Sequence, residues 1–203
     1  MLYGILKPIA VLLMRLGFRL EIRGREHVPS SGPALLVANH VSLLDPPFVG
    51  GAAPRELYFL AKEELFAIPL LGRLIRGVNA RPVKRDGSDG RALKMALRLL
   101  AEGRALLIFP EGTRGAEGSL REGKAGVGML AVMSGAPVVP VYVSGTGRAL
   151  PRGRVLPRLG KVYVSFGPAL HFKAGTGDGR KERYREAAQE MMRAIAQLRD
   201  QAV

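Results

Sequence analysis

The sequence predicts a single α/β domain, a mostly parallel central sheet flanked by helices. Three short apolar runs, residues 34–38, 105–109 and 138–143, read as buried strands. Stretches with helical spacing separate them, and strands alternating with helices argue for α/β. The length agrees, since 203 residues can enclose one substantial core. No internal repeat or long linker breaks the chain.

Residues 1–20 are apolar but interrupted by Lys7, Pro8, Arg15 and Arg19. The longest uncharged run, residues 8–14, is far short of the roughly 20 residues a spanning helix needs. No small-residue cleavage site follows, which argues against a signal peptide. Two readings fit: a helix lying among lipid headgroups, or a core helix packed on the sheet. The charges are all positive, which favours the first. The expected division is therefore an interfacial apolar helix over residues 1–18 and a folded domain over 19–203.

Residues 19–23 alternate as a strand ending at Gly24. The turn at 29–33 then leads into strand 34–38, which runs directly into the segment NHVSLLD at 39–45. A histidine just past a buried strand sits where α/β folds place chemistry, at the strand's carboxyl end. Pro46 disfavours αR for Asp45, so Asp45 is expected to be extended, with the helix starting at the proline. On one helix a five-residue offset is about 140°, and the two side chains would diverge. A strand–turn–helix entry brings them together, the Asp45 carboxylate holding one imidazole nitrogen of His40 and leaving the other free as a base. On the spacing alone, a helix capped by Asp45 with an ordinary turn histidine is the commoner reading.

Residues 57–61 form another short apolar run closing on Lys62, and residues 68–76 are amphipathic and basic. Arg81, Lys84 and Arg85 place three cations within five positions, a pattern that usually means a solvated face. Ser88 is placed to cap a helix over 92–101, in which Leu93, Ala96, Leu97 and Leu100 recur at helical spacing and Gly103 follows. Strand 105–109 enters PEGTRG at 110–115. There glycines on either side of Thr113 and Arg114 let backbone amides approach a ligand, and Arg114 offers a planar fork for phosphate. A strand-ending turn explains the same residues.

A helix is expected over 124–133 with Gly135 after it. Pro140 removes a ladder donor, so strand 138–143 is expected at an edge or bulged there. Between Gly123 and Gly177 there is no acidic residue, while Arg148, Arg152, Arg154, Arg158 and Lys161 follow one another. Such a loop repels itself unless something anionic lies near. A strand over 162–166 and a charged amphipathic helix over 178–202 complete the chain, with Met191, Met192, Ile195 and Leu198 as core contacts.

The chain carries 31 Lys+Arg against 17 Asp+Glu, a formal charge of +14. An anionic partner is implied, whether nucleic acid, membrane or phosphorylated substrate. Only 6% of residues are aromatic and none is Trp, and no zinc-finger or RNA-binding signature occurs, so no nucleic acid is expected. With no cysteine there is no disulfide, thiolate metal site or cysteine nucleophile.

Four stretches taken together resemble the glycerolipid acyltransferase family, specifically bacterial 1-acyl-glycerol-3-phosphate acyltransferases. NHVSLLD resembles its NHxxxxD motif, and residues 62–85, with Pro69 and Gly72, resemble its second block. FPEGTRG at 109–115 resembles the third, and 138–143 with Pro140 the fourth. The resemblance implies the glycerol-3-phosphate acyltransferase-like fold. It implies transfer of a fatty acyl group from acyl-CoA or acyl-carrier protein to the sn-2 hydroxyl of a lysophospholipid, giving phosphatidic acid. His40 would then be the general base and Asp45 its orienting carboxylate. Glu111, Gly112, Thr113 and Arg114 would bind the acceptor, with Lys62 and Arg85 as phosphate contacts and Arg81 competing with Arg85. Glu111 is expected to orient Arg114 or accept a glycerol hydroxyl, because a carboxylate beside a phosphate is repulsive.

No metal and no cofactor beyond the acyl donor is implied. The expected place of action is an anionic membrane surface, with the protein peripheral or monotopic at the cytoplasmic face. Ser42, between His40 and Asp45, offers a hydroxyl for acylation; a local capping role is the commoner one, so direct transfer in a ternary complex is expected. The competing reading is a non-catalytic basic module that binds membrane or nucleic acid.

Overall fold

Strand β2 (Ala34–Ala38) forms where five consecutive apolar residues leave no face for water, and all five are fully buried. It is the middle strand of a seven-stranded sheet in the computed structural model, which describes residues 2–83, 90–173 and 179–202. The order across the sheet is β1 (Glu21–Arg23), β7 (Tyr163–Phe166), β6 (Val138–Ser144), β2, β5 (Ala105–Ile108), β3 (Leu57–Lys62) and β4 (Ala80–Val83). Every adjoining pair is parallel except β6 with β7. In register, Leu35 faces Leu106 of β5 on one side and Val138 of β6 on the other.

The two faces of β2 feed two cores. Leu35 and Val37 join Leu106 and Val138 under α4 (Arg91–Ala101), α5 (Ala125–Ser134) and α7 (Arg180–Asp200). Leu36 and Ala38 join Leu107, Val139 and Val141 beneath α2 (Asp45–Ala52), with Met14 and Phe18 of α1 (Leu2–Phe18) packed alongside. Burying each such leucine contributes roughly 1.5–3 kcal/mol. Two short helices, α3 (Pro69–Gly77) and α6 (Thr146–Ala149), complete the set.

Helices α5 and α7 approach closely at Gly128, where an added Cβ would lie 1.9 Å from the Tyr184 carbonyl oxygen. Only glycine fits there. Helix α1 packs one side on α2, with the Phe18 and Phe48 rings edge to face at 5.2 Å. Its Ile9, Leu12, Leu13 and Leu16 are exposed. No helix among the described residues is long and apolar enough to cross a membrane.

Several local expectations are corrected. Arg19 has φ 43, a left-handed conformation that no strand continues through, so β1 starts later. Asp45 is the first residue of α2 rather than an extended residue before it. The prolines that follow occupy the first turn, where a missing N–H breaks no helical bond. Pro140 lies in a central strand, next to β2 on one side and β7 on the other. Its missing donor falls where β7 ends: the Pro140 carbonyl accepts the Gly167 N–H at 2.9 Å, and Gly167 has no side chain to meet the proline ring. Residues 80–83, read as a charged stretch, form edge strand β4, where Pro82 is tolerated. Ser88 and Arg85 lie outside the described residues.

Candidate active site

Because β2, β5 and β6 are adjacent and parallel, the loops that leave their carboxyl ends open on one edge of the sheet. Helices α2 and α5, which follow β2 and β5, go to opposite faces and leave a crevice between them. His40 leaves β2, Glu111 leaves β5 and Thr146 leaves β6. Three sequence-distant loops thereby meet at one point.

His40 Nδ1 lies 2.7 Å from Asp45 Oδ2. The same carboxylate oxygen accepts the backbone N–H groups of Val41, at 2.7 Å, and Ser42, at 2.8 Å. The other, Oδ1, accepts the Thr146 hydroxyl at 2.5 Å. Asp45 is completely buried, and this set of donors is what allows a carboxylate to stay there. With Nδ1–H donated to Asp45, the lone pair of Nε2 is left as a proton acceptor. The imidazole stacks on the Phe109 ring, centroids 4.0 Å apart, which fixes its plane. The two side chains meet across the turn that enters α2, as the strand–turn–helix reading required.

Glu111 lies elsewhere than expected. Its Oε1 accepts the His40 backbone N–H at 3.0 Å and its Oε2 the Arg121 backbone N–H at 3.2 Å. The side chain is buried, so it ties the third block to the histidine backbone rather than facing an acceptor. Burial raises its pKa from the ordinary glutamate value, against the opposing pull of those two N–H groups. Gly112, at φ 67, closes the turn by donating its N–H to the Phe109 carbonyl, so that amide is turned inward. Thr113 is exposed.

Arg114 lines a cavity of about 450 Å³ beside the dyad. Val41, Gly115, Gly147 and Pro151 share its wall with Arg121 and Arg152, and the Arg152 guanidinium also donates to the Arg114 carbonyl. Glu117, on the same wall, has its carboxylate taken up by the Gly145 and Gly147 N–H groups at 2.6 and 2.8 Å. The cavity therefore presents positive charge. Lys62 is exposed at the carboxyl end of β3. That strand is two sheet spacings from β2, roughly 10 Å along the same edge. Arg81 lies over the Tyr58 ring at 5.3 Å. Ser42 is fully buried, donating to the Leu150 carbonyl at 3.0 Å and accepting the Leu44 N–H at 3.3 Å.

Sequence reasoning missed Thr146, Arg121 and the pairing role of Asn39, whose amide bonds both backbone groups of Val143, and it named Arg152 only within a run of cations that needs an anion nearby. The available signal for Thr146 was its place in a Gly-Thr-Gly turn straight after a buried strand parallel to β2.

A parallel sheet with a buried His–Asp pair and an arginine-lined cavity at its carboxyl edge defines a class, and known proteins specify it. A family profile described as Acyltransferase matches residues 19–144. The 1-acyl-sn-glycerol-3-phosphate acyltransferase of Bacillus subtilis (strain 168) is 30% identical over 152 residues, 74% of this chain and 73% of that protein. The lyso-ornithine lipid O-acyltransferase of Pseudomonas aeruginosa is 40% identical over 125 residues, 61% of this chain and 47% of that one. The crystal structure of the 1-acyl-sn-glycerophosphate (LPA) acyltransferase PlsC from Thermotoga maritima matches with TM-score 0.73 and 30% identity, covering 95% of this chain and 79% of that one. The chain therefore belongs to the acyltransferase family, and within it matches the 1-acyl-sn-glycerol-3-phosphate acyltransferases in sequence and in fold. It spans about two fifths of the length of the curated chloroplast relatives it matches, 39% and 40%.

Proposed function

We propose that this chain transfers a fatty acyl group from an acyl-CoA or acyl-carrier-protein thioester to the sn-2 hydroxyl of 1-acyl-glycerol-3-phosphate, giving phosphatidic acid. The observation that carries the reading is the 2.7 Å His40–Asp45 contact at the sheet edge, beside a cavity lined by Arg114, Arg121 and Arg152. A thioester is already activated. What remains is to deprotonate an alcohol and hold it in line with the carbonyl carbon.

In this reading His40 Nε2 takes the proton of the acceptor hydroxyl as its oxygen bonds to the thioester carbonyl carbon. The tetrahedral intermediate collapses, the C–S bond breaks, and the proton on His40 goes to the departing thiolate. General-base help of this kind is worth about 10²–10⁴ in rate. Asp45 stabilises the imidazolium that forms and holds the ring in the required tautomer. Glu111 and Thr146 act through these two as positioning residues. Arg114, with Arg121 and Arg152, receives the acceptor phosphate, and Lys62 and Arg85 are retained as further phosphate contacts. The Ser42 hydroxyl is buried in two hydrogen bonds, which favours direct transfer over an acyl-serine.

The exposed apolar side of α1 and the net charge support action at an anionic membrane surface, with the protein peripheral or monotopic at the cytoplasmic face. The identity with the lyso-ornithine lipid enzyme favours one second acceptor. A panel of lysophosphatidate, lyso-ornithine lipid and lysophosphatidylcholine, each offered acyl-CoA or acyl-carrier protein, tests the assignment. Phosphatidic acid as the main product supports it; a preference for lyso-ornithine lipid reassigns the acceptor. Acyl label trapped on Ser42 overturns direct transfer.

A further inference from the structure

The loop between α6 and β7 carries three large apolar side chains that the fold leaves in water. Val155 is 89% exposed, Leu156 79% and Leu159 76%. Single exposed aliphatics are ordinary, but three within five positions on one loop form a patch. Arg154 and Arg158 alternate with them, both exposed and without an ion-pair partner among the described residues. No carboxylate in the chain from Gly123 to Gly177 offsets them. Apolar tips interleaved with unpaired guanidinium groups suit the headgroup region of an anionic bilayer, where aliphatics enter the acyl boundary and cations meet phosphates.

The loop is fixed to the rest of the molecule at several places. The Arg158 N–H donates to the Ala149 carbonyl at 2.7 Å, and the Val162 N–H donates to the Phe18 carbonyl at the end of α1 at 2.9 Å. A Cβ on Gly17 would stand 3.2 Å from the Leu159 side chain, so loop and helix are in contact. At its root, Pro151 and Arg152 line the cavity beside the dyad, and the Leu150 carbonyl accepts the Ser42 hydroxyl. The loop thus meets the carboxyl end of α1 and ends at the cavity.

We propose that residues 151–161 are a second membrane-docking element, whose Val155, Leu156 and Leu159 enter the surface of an anionic lipid bilayer while Arg154 and Arg158 contact its phosphates. It rests on the membrane-surface reading above and extends it. Docking through both the loop and α1 turns the cavity towards the headgroup layer, so an acceptor phosphate can enter from the lipid.

The chain has no tryptophan, so Leu156→Trp supplies a single reporter on the loop. With phosphatidylglycerol vesicles its emission is expected to shift to the blue and to be quenched by brominated acyl chains, with a much smaller response to phosphatidylcholine vesicles. The triple variant Val155→Ser/Leu156→Ser/Leu159→Ser is expected to bind phosphatidylglycerol vesicles at least about tenfold more weakly, while turning over detergent-dispersed substrate within about twofold of the parent. Unchanged Leu156→Trp emission in protein that still sediments with the vesicles overturns the proposal and leaves the α1 reading standing. Failure of the parent itself to sediment overturns both. A blue shift without vesicles that grows with protein concentration assigns the patch to a second copy and overturns the lipid assignment. An equal response to both vesicle types overturns the role of the arginines.

Discussion

Asp45 is the residue on which the site depends, because it is buried, ionisable and surrounded by donors. Thr146→Val removes the hydroxyl on Oδ1 and leaves that oxygen buried without its donor. A loss of about 1–3 kcal/mol in stability is expected, read as a lower urea midpoint, together with a fall in kcat at nearly unchanged KM. Thr146→Ser is expected to restore most of both. If Thr146→Val is as active as the parent, the account of how Asp45 is held is wrong. Glu111 gives a pH-dependent prediction. In the unfolded chain a glutamate titrates near about 4.3, and burial places the folded value higher. Between the two values the folded state binds more protons, so stability from this group is present below the unfolded value and lost as pH rises through the folded one. The stability of Glu111→Gln relative to the parent is expected to improve as pH rises through that window. A difference that is flat from about pH 4 to 7 contradicts it. His40, Asp45, Glu111 and Arg114 were legible as types in a spacing; Thr146 and Arg121 were not, because their place at the site is fixed by the tertiary fold.

Strands β2, β5 and β6 were legible because a strand covered on both faces has no polar side to confuse its period. The loops after β2 and β5 were read as candidate site loops on that ground, whereas the loop after β6 was not. Strand β4 was not legible: Arg81 and Pro82 occupy an edge, where packing does not demand an apolar run. Pro140 misled because sequence cannot show that its missing donor meets the end of β7. The close α5–α7 approach was equally invisible, since Gly128 reads as one more helical glycine. Gly128→Ala is expected to cost at least about 1–3 kcal/mol, as a Cβ must displace backbone of the neighbouring helix. Urea titration of the variant checks this, and an unchanged midpoint contradicts the packing described.

Seen as one object, the molecule joins the His40–Asp45 edge to the arginine-lined cavity, and the cavity through the 151–161 loop to the end of α1. The excess of 31 cations over 17 acids signalled an anionic partner but gave no location for it. The fold brings Arg114, Arg121 and Arg152 to one cavity that Val41, next to His40, also lines, and sets Leu159 against Gly17 of α1. The central claim is that His40 carries the chemistry rather than the binding. His40→Ala, assayed with lysophosphatidate and an acyl thioester beside a vesicle-sedimentation control, tests it most directly. A rate at least about 10²-fold below the parent, with vesicle binding unchanged, is the predicted result. Parent-like turnover in His40→Ala would contradict it, and no turnover in the parent itself would leave a basic membrane-binding module instead.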